Sequence, residues 1–160
     1  MNKTILVALD YSKTDERLIQ KVLEWSRGKE ISVVLLHIFS FFDSMPDRDV
    51  AQQEKEEIYS GAVSNPLREG WESWERLEKA SLSKLREYAK PLEAVGISVT
   101  TKHILGNPAP VICSVARELE IDTIMVGRGG RRGIAEAVLG SVSNYVFHHA
   151  PCSVWAINIR

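Results

Sequence analysis

The chain is 160 residues long and 44% hydrophobic, enough for a single domain spanning 1–160 that builds its own core without disulfide or metal staples. Its 20 basic and 21 acidic residues leave a formal net charge of −1, so no global field recruits nucleic acid or an anionic membrane, and any basic patch has to be local. Cys113 and Cys152 stand in apolar contexts without ligand spacing and read as reduced packing residues of a cytoplasmic protein. Met1-Asn2-Lys3-Thr4 leads into an apolar segment of about six residues, too short for a secretory signal or a span, and no run of about 18 apolar residues follows, so a membrane is not an expected partner.

Ile5-Leu6-Val7-Ala8-Leu9 is a continuous apolar run, the pattern of a strand buried on both faces in a parallel sheet. It ends at Asp10. Ser12, with Asp15 three residues on, predicts a capped helix whose inner face is Leu18, Ile19, Val22 and Leu23 and whose C′ residue is Gly28. Ile31 to Phe39 is a second buried strand. His37 near its end has no second ligand at metal spacing and reads as a packed core residue.

From Ser40 to Gly70 the pattern decays through Phe41-Phe42, Met45-Pro46, the acidic run Glu54 to Glu57 and Ser64-Asn65-Pro66. A connection of that length leaving a strand end is expected to cover a ligand or to pack as a partner surface. Trp71, Trp74, Leu77, Leu85, Tyr88, Leu92 and Val95 keep helical spacing up to Gly96, which predicts a long helix with core-facing tryptophans and a bend near Pro91. Ile97, Val99 and Thr101 alternate as a third strand nearer an edge. Gly106-Asn107-Pro108 opens a helix capped by Asn107, with Val111, Ile112, Val115 and Leu119 inward.

Thr123 to Val126 is a fourth strand, and it breaks into Gly127-Arg128-Gly129-Gly130-Arg131-Arg132-Gly133; five of the ten glycines lie between Gly127 and Gly140. Ser141 reads as the N-cap of a helix carrying Val142, Tyr145 and Val146, with His148-His149 at its C-terminus. Ser153 to Ile159 is the fifth strand. Strand, glycine loop and helix start form an anion site, because glycine lets backbone N–H groups approach an oxyanion and the helix terminus adds donors and partial positive charge. The competing reading is a surface turn made soluble by Arg128, Arg131 and Arg132. The P-loop is excluded, since no Gly-Lys-Ser/Thr occurs, and so is the dinucleotide fingerprint, whose sixth place falls on Arg132.

The alternation β-α-β-α-β-α-β-α-β predicts an α/β doubly wound parallel sheet with ligands at the carboxyl ends of its strands. Gly127, two residues, Gly130, nine residues and Gly140-Ser141 together resemble the ATP-binding signature of the universal stress protein family. The opening strand ending VALDYS, the Gly106-Asn107-Pro108 turn and the close GSVSNYVFHHAPCSVWAI are similar to that family as well. The resemblance implies a Rossmann-like, adenine nucleotide alpha hydrolase-like sheet of order 3-2-1-4-5 and a homodimer through the last strand. It places Asp10 by the ribose and adenine, Ile38 on the adenine, and Val126 and Gly127 along the base and ribose side. It gives phosphate contacts to Gly130, Gly140, Ser141 and Val142, and counts Ala8, Leu9, Gly129, Arg132 and Ser143 among the nucleotide-binding residues.

The implied ligand is ATP, with Mg2+ held through the phosphates and no dedicated metal ligands. The implied role is a nucleotide-dependent stress-response module with an unidentified protein partner; a slow ATP hydrolase and an AMP or cyclic AMP regulator are the alternatives. No catalytic base, phosphate-covering lysine or paired carboxylates converge on the loop. The loop departs from the family pattern, where small hydroxyl residues often hold the places of Arg128 and Arg132, and histidine or arginine that of Gly129. The arginines either strengthen the phosphate grip or obstruct it.

Overall fold

The computed structural model describes residues 3–12, 14–39, 66–128 and 140–158, with the backbone alone for 66–74. Five strands, β1 (Lys3–Leu9), β2 (Ile31–Phe39), β3 (Ser98–Leu105), β4 (Thr123–Arg128) and β5 (Ser153–Asn158), alternate with four described helices. These are α1 (Thr14–Ser26), α2 (Pro66–Glu93), α3 (Pro108–Glu118) and α4 (Ser141–His149). The sheet order is β3-β2-β1-β4-β5 and every pairing is parallel. This is the order expected above, with β1 and β4 adjacent at the point where the winding reverses.

The reason for the continuous apolar run in β1 lies in what covers it. Ile5, Val7 and Leu9 pack with Leu18, Ile19 and Val22 of α1 and Leu85, Ala89 and Leu92 of α2. Leu6, with Val34, Leu36, Ile124 and Val126, packs against Ile112, Val115 and Ala116 of α3 and Val146 of α4. Ile5, Leu6 and Val7 are all 0% exposed, and burying each such side chain contributes roughly 1.5–3 kcal/mol. A polar residue on either face of β1 would therefore meet a helix.

The helix boundaries follow local chemistry. Gly28 and Gly96 adopt φ of +70° and +84° after α1 and α2, the left-handed conformation that closes a helix with little penalty only for glycine. Asn107 stands at the N-cap position of α3 but its side chain makes no capping hydrogen bond, and Pro108 opens the first turn. Three expectations need correction. Helix α2 begins at Pro66, inside the stretch read as an irregular connection. Leu77 and Val95 are 47% and 63% exposed: the first looks outward from α2 and the second lies beyond its end, so neither belongs to the inner face. The N-cap of α4 is Gly140, not Ser141. The cover expected of residues 40–65 lies outside the described residues, as do the side chains of Trp71 and Trp74. Cys113 is buried and Cys152 half-buried, and both are free thiols.

Candidate functional site

The candidate site begins at the turn after β1. Asp10 leaves the strand end exposed, and its carboxylate accepts the N–H of Ser12 at 3.0 Å. Tyr11 follows at φ +59°, a conformation that costs a bulky residue on the order of 1–3 kcal/mol and persists only where its surroundings hold it. What holds it is Asp15, whose carboxylate accepts the backbone N–H of Asp10 at 3.3 Å and that of Tyr11 at 2.8 Å. The expected capping box is thus rearranged. Ser12 Oγ accepts from Thr14 N–H at 3.2 Å, while Asp15 reaches back past Ser12 to pin the residue before it. Asp15 is only 1% exposed. Burial first, and the like charge of Asp10 second, push its carboxyl up to about 7, against the lowering effect of the two N–H donors.

The residues assigned to the nucleotide separate into groups. Ala8, Ile38, Val126 and Val142 share the face covered by α3 and α4. Leu9 points to the opposite face, into the α1 and α2 core, so only its backbone is on hand for a ligand at the strand end. Ile38 and Val126 are 7% and 3% exposed; most of each side chain packs on protein. Gly127 is half-buried and pairs with Ile157 of β5.

Helix α4 returns from the carboxyl end of β4 to the start of β5, so its N-terminus lies at the carboxyl edge of the sheet. The first-turn N–H groups of a helix have no intrahelical acceptor and point out of its end. Ser141 is exposed there, whereas Ser143 is 3% exposed and its hydroxyl donates to Gly140 O at 3.0 Å. Ser143 therefore has a backbone N–H rather than its hydroxyl hydrogen to give an anion. Gly140 has φ −58°, which any residue adopts, so its backbone conformation does not require a glycine. Gly129, Gly130 and Arg132 lie outside the described residues. Among the described residues no group of three or more His, Cys, Asp or Glu is arranged to hold a metal.

A polar cluster beside this turn escaped the sequence reading. His37 is buried, as expected, but it is not an ordinary packing residue. The parallel register sets His37 opposite His103, and their Nδ1 atoms are 3.1 Å apart. Ser81 of α2 places its hydroxyl 3.2 Å from His37 Nδ1 and 2.8 Å from His103 Nδ1. The Tyr11 ring stacks on His37 with centroids 3.8 Å apart, and its hydroxyl donates to Ser81 O at 2.7 Å. Burial pushes the Tyr11 phenol up to about 12, opposed by its bond to Ser81, and burial lowers His103 against the raising effect of Glu78. Histidine and serine 44 residues apart leave no local signal; only the strand register could have found them. At the far ends of β2 and β3 a groove of about 710 Å³, lined by Leu23, Arg27, Lys29 and Val95 among others, lies away from this chemistry.

An all-parallel, doubly wound sheet with a glycine-capped helix N-terminus at the carboxyl ends of its strands defines an α/β protein of the type that receives ligands at the switch point. The chain belongs to the universal stress protein family, whose sequence model matches residues 1–158. Universal stress protein Slr1101 of Synechocystis is 38% identical over 103 residues, 64% of this chain and 95% of that protein. The solved structure of protein MJ0577, from Methanocaldococcus jannaschii, superposes with a TM-score of 0.74 at 26% identity, covering 100% of this chain and 98% of that one. A universal stress protein family protein of Arabidopsis thaliana, solved with AMP bound, has the same fold. Its TM-score is 0.61 at 19% identity, over 99% of this chain and 92% of that one.

Proposed function

We propose that this protein is an adenine-nucleotide-binding stress-response module of the cytoplasm, with ATP as its ligand and occupancy of the site as its signal. What supports the reading is that three features lie at the carboxyl end of the sheet: the exposed Asp10 carboxylate, the apolar Ala8, Ile38 and Val126, and the N-terminus of α4 at Gly140-Ser141. Asp10 has acceptors for ribose hydroxyls, the half-buried Ala8 and the small exposed parts of Ile38 and Val126 suit a purine, and the helix end supplies donors and partial positive charge for phosphates. The AMP-bound Arabidopsis relative supports an adenine nucleotide as the guest. Mg2+ would arrive with the phosphates and be held mainly by them. The chemistry at the site is binding; hydrolysis, if required, is slow or completed by a partner protein.

Homodimerisation through β5 belongs to the same proposal. Val154, Trp155, Ala156 and Ile157 are half-buried on an edge strand of the sheet, and an apolar edge invites pairing with a second copy. The deciding experiment is isothermal titration with ATP, AMP and cyclic AMP, combined with mass spectrometry of any ligand released from purified protein. Saturable ATP binding, weakened in Asp10→Ala, is the expected result. Absence of heat with all three nucleotides, and of any released nucleotide, would overturn the reading.

A further inference from the structure

We propose that His37, His103, Ser81 and Tyr11 form a one-proton clasp that pins α2 to the carboxyl end of the sheet and opens when acid forces a second hydrogen between the two imidazoles. Each residue comes from a different part of the fold: His37 from β2, His103 from β3, Ser81 from α2 and Tyr11 from the turn after β1. The clasp does not depend on the nucleotide reading.

The geometry sets the hydrogen count. The two imidazole rings lie within 15° of parallel with centroids 5.2 Å apart. That separation is close to the 3.1 Å between the Nδ1 atoms plus the two ring radii, so each Nδ1 aims almost directly at the other. With no hydrogen there, two lone pairs face each other; with two, the N–H groups collide. One hydrogen makes an N–H···N bond. Ser81 Oγ bridges the pair and stands 2.6 Å from Tyr11 Oη, whose own hydrogen goes to Ser81 O. Every buried side-chain polar atom among the described residues has a partner.

A first acid proton settles on a far ring nitrogen and leaves the shared hydrogen in place. A second has only the shared position and must part the rings. His37 is 5% exposed and Ser81 7%, so water cannot screen the conflict, and the separation displaces α2 through Ser81. The charged and titratable described groups around the cluster include Glu78, Lys84 and Tyr88 of α2, and Asp10 and Asp15 on the turn side. Glu78 favours a protonated His103 but is outweighed by burial. Lys84 lies 4.7 Å from the Tyr11 ring centroid, and Tyr88 stacks 6.5 Å from the same ring. Asp15 acts on Tyr11 and, with Asp10, on Tyr88. Burial lowers His103, so the clasp is closed at neutral pH and weakens as pH falls below the ordinary histidine range.

The test uses the full chain without ligand. Nitrogen-15 NMR of labelled histidines at about pH 7.5 is expected to show one protonated Nδ1 coupled through the hydrogen bond to the other. Hydrogen-exchange protection of α2, corrected for intrinsic rates, is expected to fall roughly tenfold or more between about pH 7 and pH 5. His103→Gln should abolish that fall, and Ser81→Ala should lower α2 protection at neutral pH while leaving the histidine pair coupled. If His103→Gln does not fold, His37→Phe keeps a ring for Tyr11 to stack on and serves the same comparison. A pH-dependent loss of protection equal in wild type and the histidine variant would overturn the proposal. So would two unprotonated Nδ1 atoms, or one equivalent of Zn2+ captured by both rings, which would mean that the donors hold a metal and not a hydrogen.

Discussion

Asp15, 1% exposed, accepts the backbone N–H of Tyr11 at 2.8 Å. A buried carboxylate thereby fixes the strained residue directly after Asp10. Its acidity, pushed from 3.8 up to about 7, is set by burial and by the neighbouring Asp10 charge. The folded value lies above the unfolded one, so the folded state holds this proton more tightly. The stabilisation is complete below the unfolded value of 3.8, declines as pH rises, and is lost above about 7. The difference in unfolding free energy between wild type and Asp15→Asn is expected to shift by on the order of 3 kcal/mol against the wild type across that window. Urea melts at a series of pH values measure it, and taking the difference removes the opposing contribution of His103. A difference that stays flat with pH would show that Asp15 does not titrate there.

Tyr11 holds its position by stacking on His37 and by the hydroxyl bond to Ser81 O at 2.7 Å. Tyr11→Phe keeps the ring and removes the bond, so stability should drop by about 1 kcal/mol. Tyr11→Gly relieves the +59° φ yet loses both ring and hydroxyl, and should cost more than Tyr11→Phe. Denaturant midpoints of the two variants order them; a more stable Tyr11→Gly protein would mean that backbone strain outweighs the cluster.

The phosphate end of the proposed site rests on close approach to Gly140. Because its φ of −58° is open to any residue, Gly140→Val should fold with near-native stability while ATP affinity falls at least tenfold, about 1.4 kcal/mol. Arg128→Ala should cost only several-fold, since a flexible guanidinium at a partly solvated strand end contributes about 1 kcal/mol or less and is weakened by salt. Titration of both variants, with circular dichroism as the folding control, distinguishes backbone from arginine. Normal binding by Gly140→Val together with loss in Arg128→Ala would reverse the assignment.

The two edges of the sheet differ in character. On β3, Ser98 and Thr100 are exposed and Lys102 half-buried, whereas β5 carries Val154, Trp155, Ala156 and Ile157, all half-buried. Trp155 is partly occupied by Trp25, whose ring meets it edge-on at 5.1 Å. Polar and charged residues blunt an edge against pairing and apolar ones do not. Light scattering over a dilution series is expected to give a dimer, and replacing Ile157 with Lys should yield monomer at the same concentration. A wild-type monomer at all concentrations would refute pairing through β5.

Much of this architecture is written locally. Ile5 to Leu9 is apolar without interruption because both faces of β1 are covered by helices, and the period of each helix and the glycines at 28 and 96 mark its inner face and its end. Asp10 was legible as a strand-end residue for the same reason. Other features depend on pairings that no local pattern encodes. That Ala8 and Leu9 face opposite layers follows from the two-residue period, but which layer meets the proposed ligand depended on where α3 and α4 pack. Asp15 looked like a capping acid; only the left-handed turn at Tyr11 brought two backbone N–H groups onto it, and only the packing of α1 buried it. His37 and His103 are 66 residues apart, and their apposition comes from the register of two parallel strands joined by a long crossover. Periodicity reports which face a side chain takes; register, which decides what it touches, is set by the packing of the whole sheet.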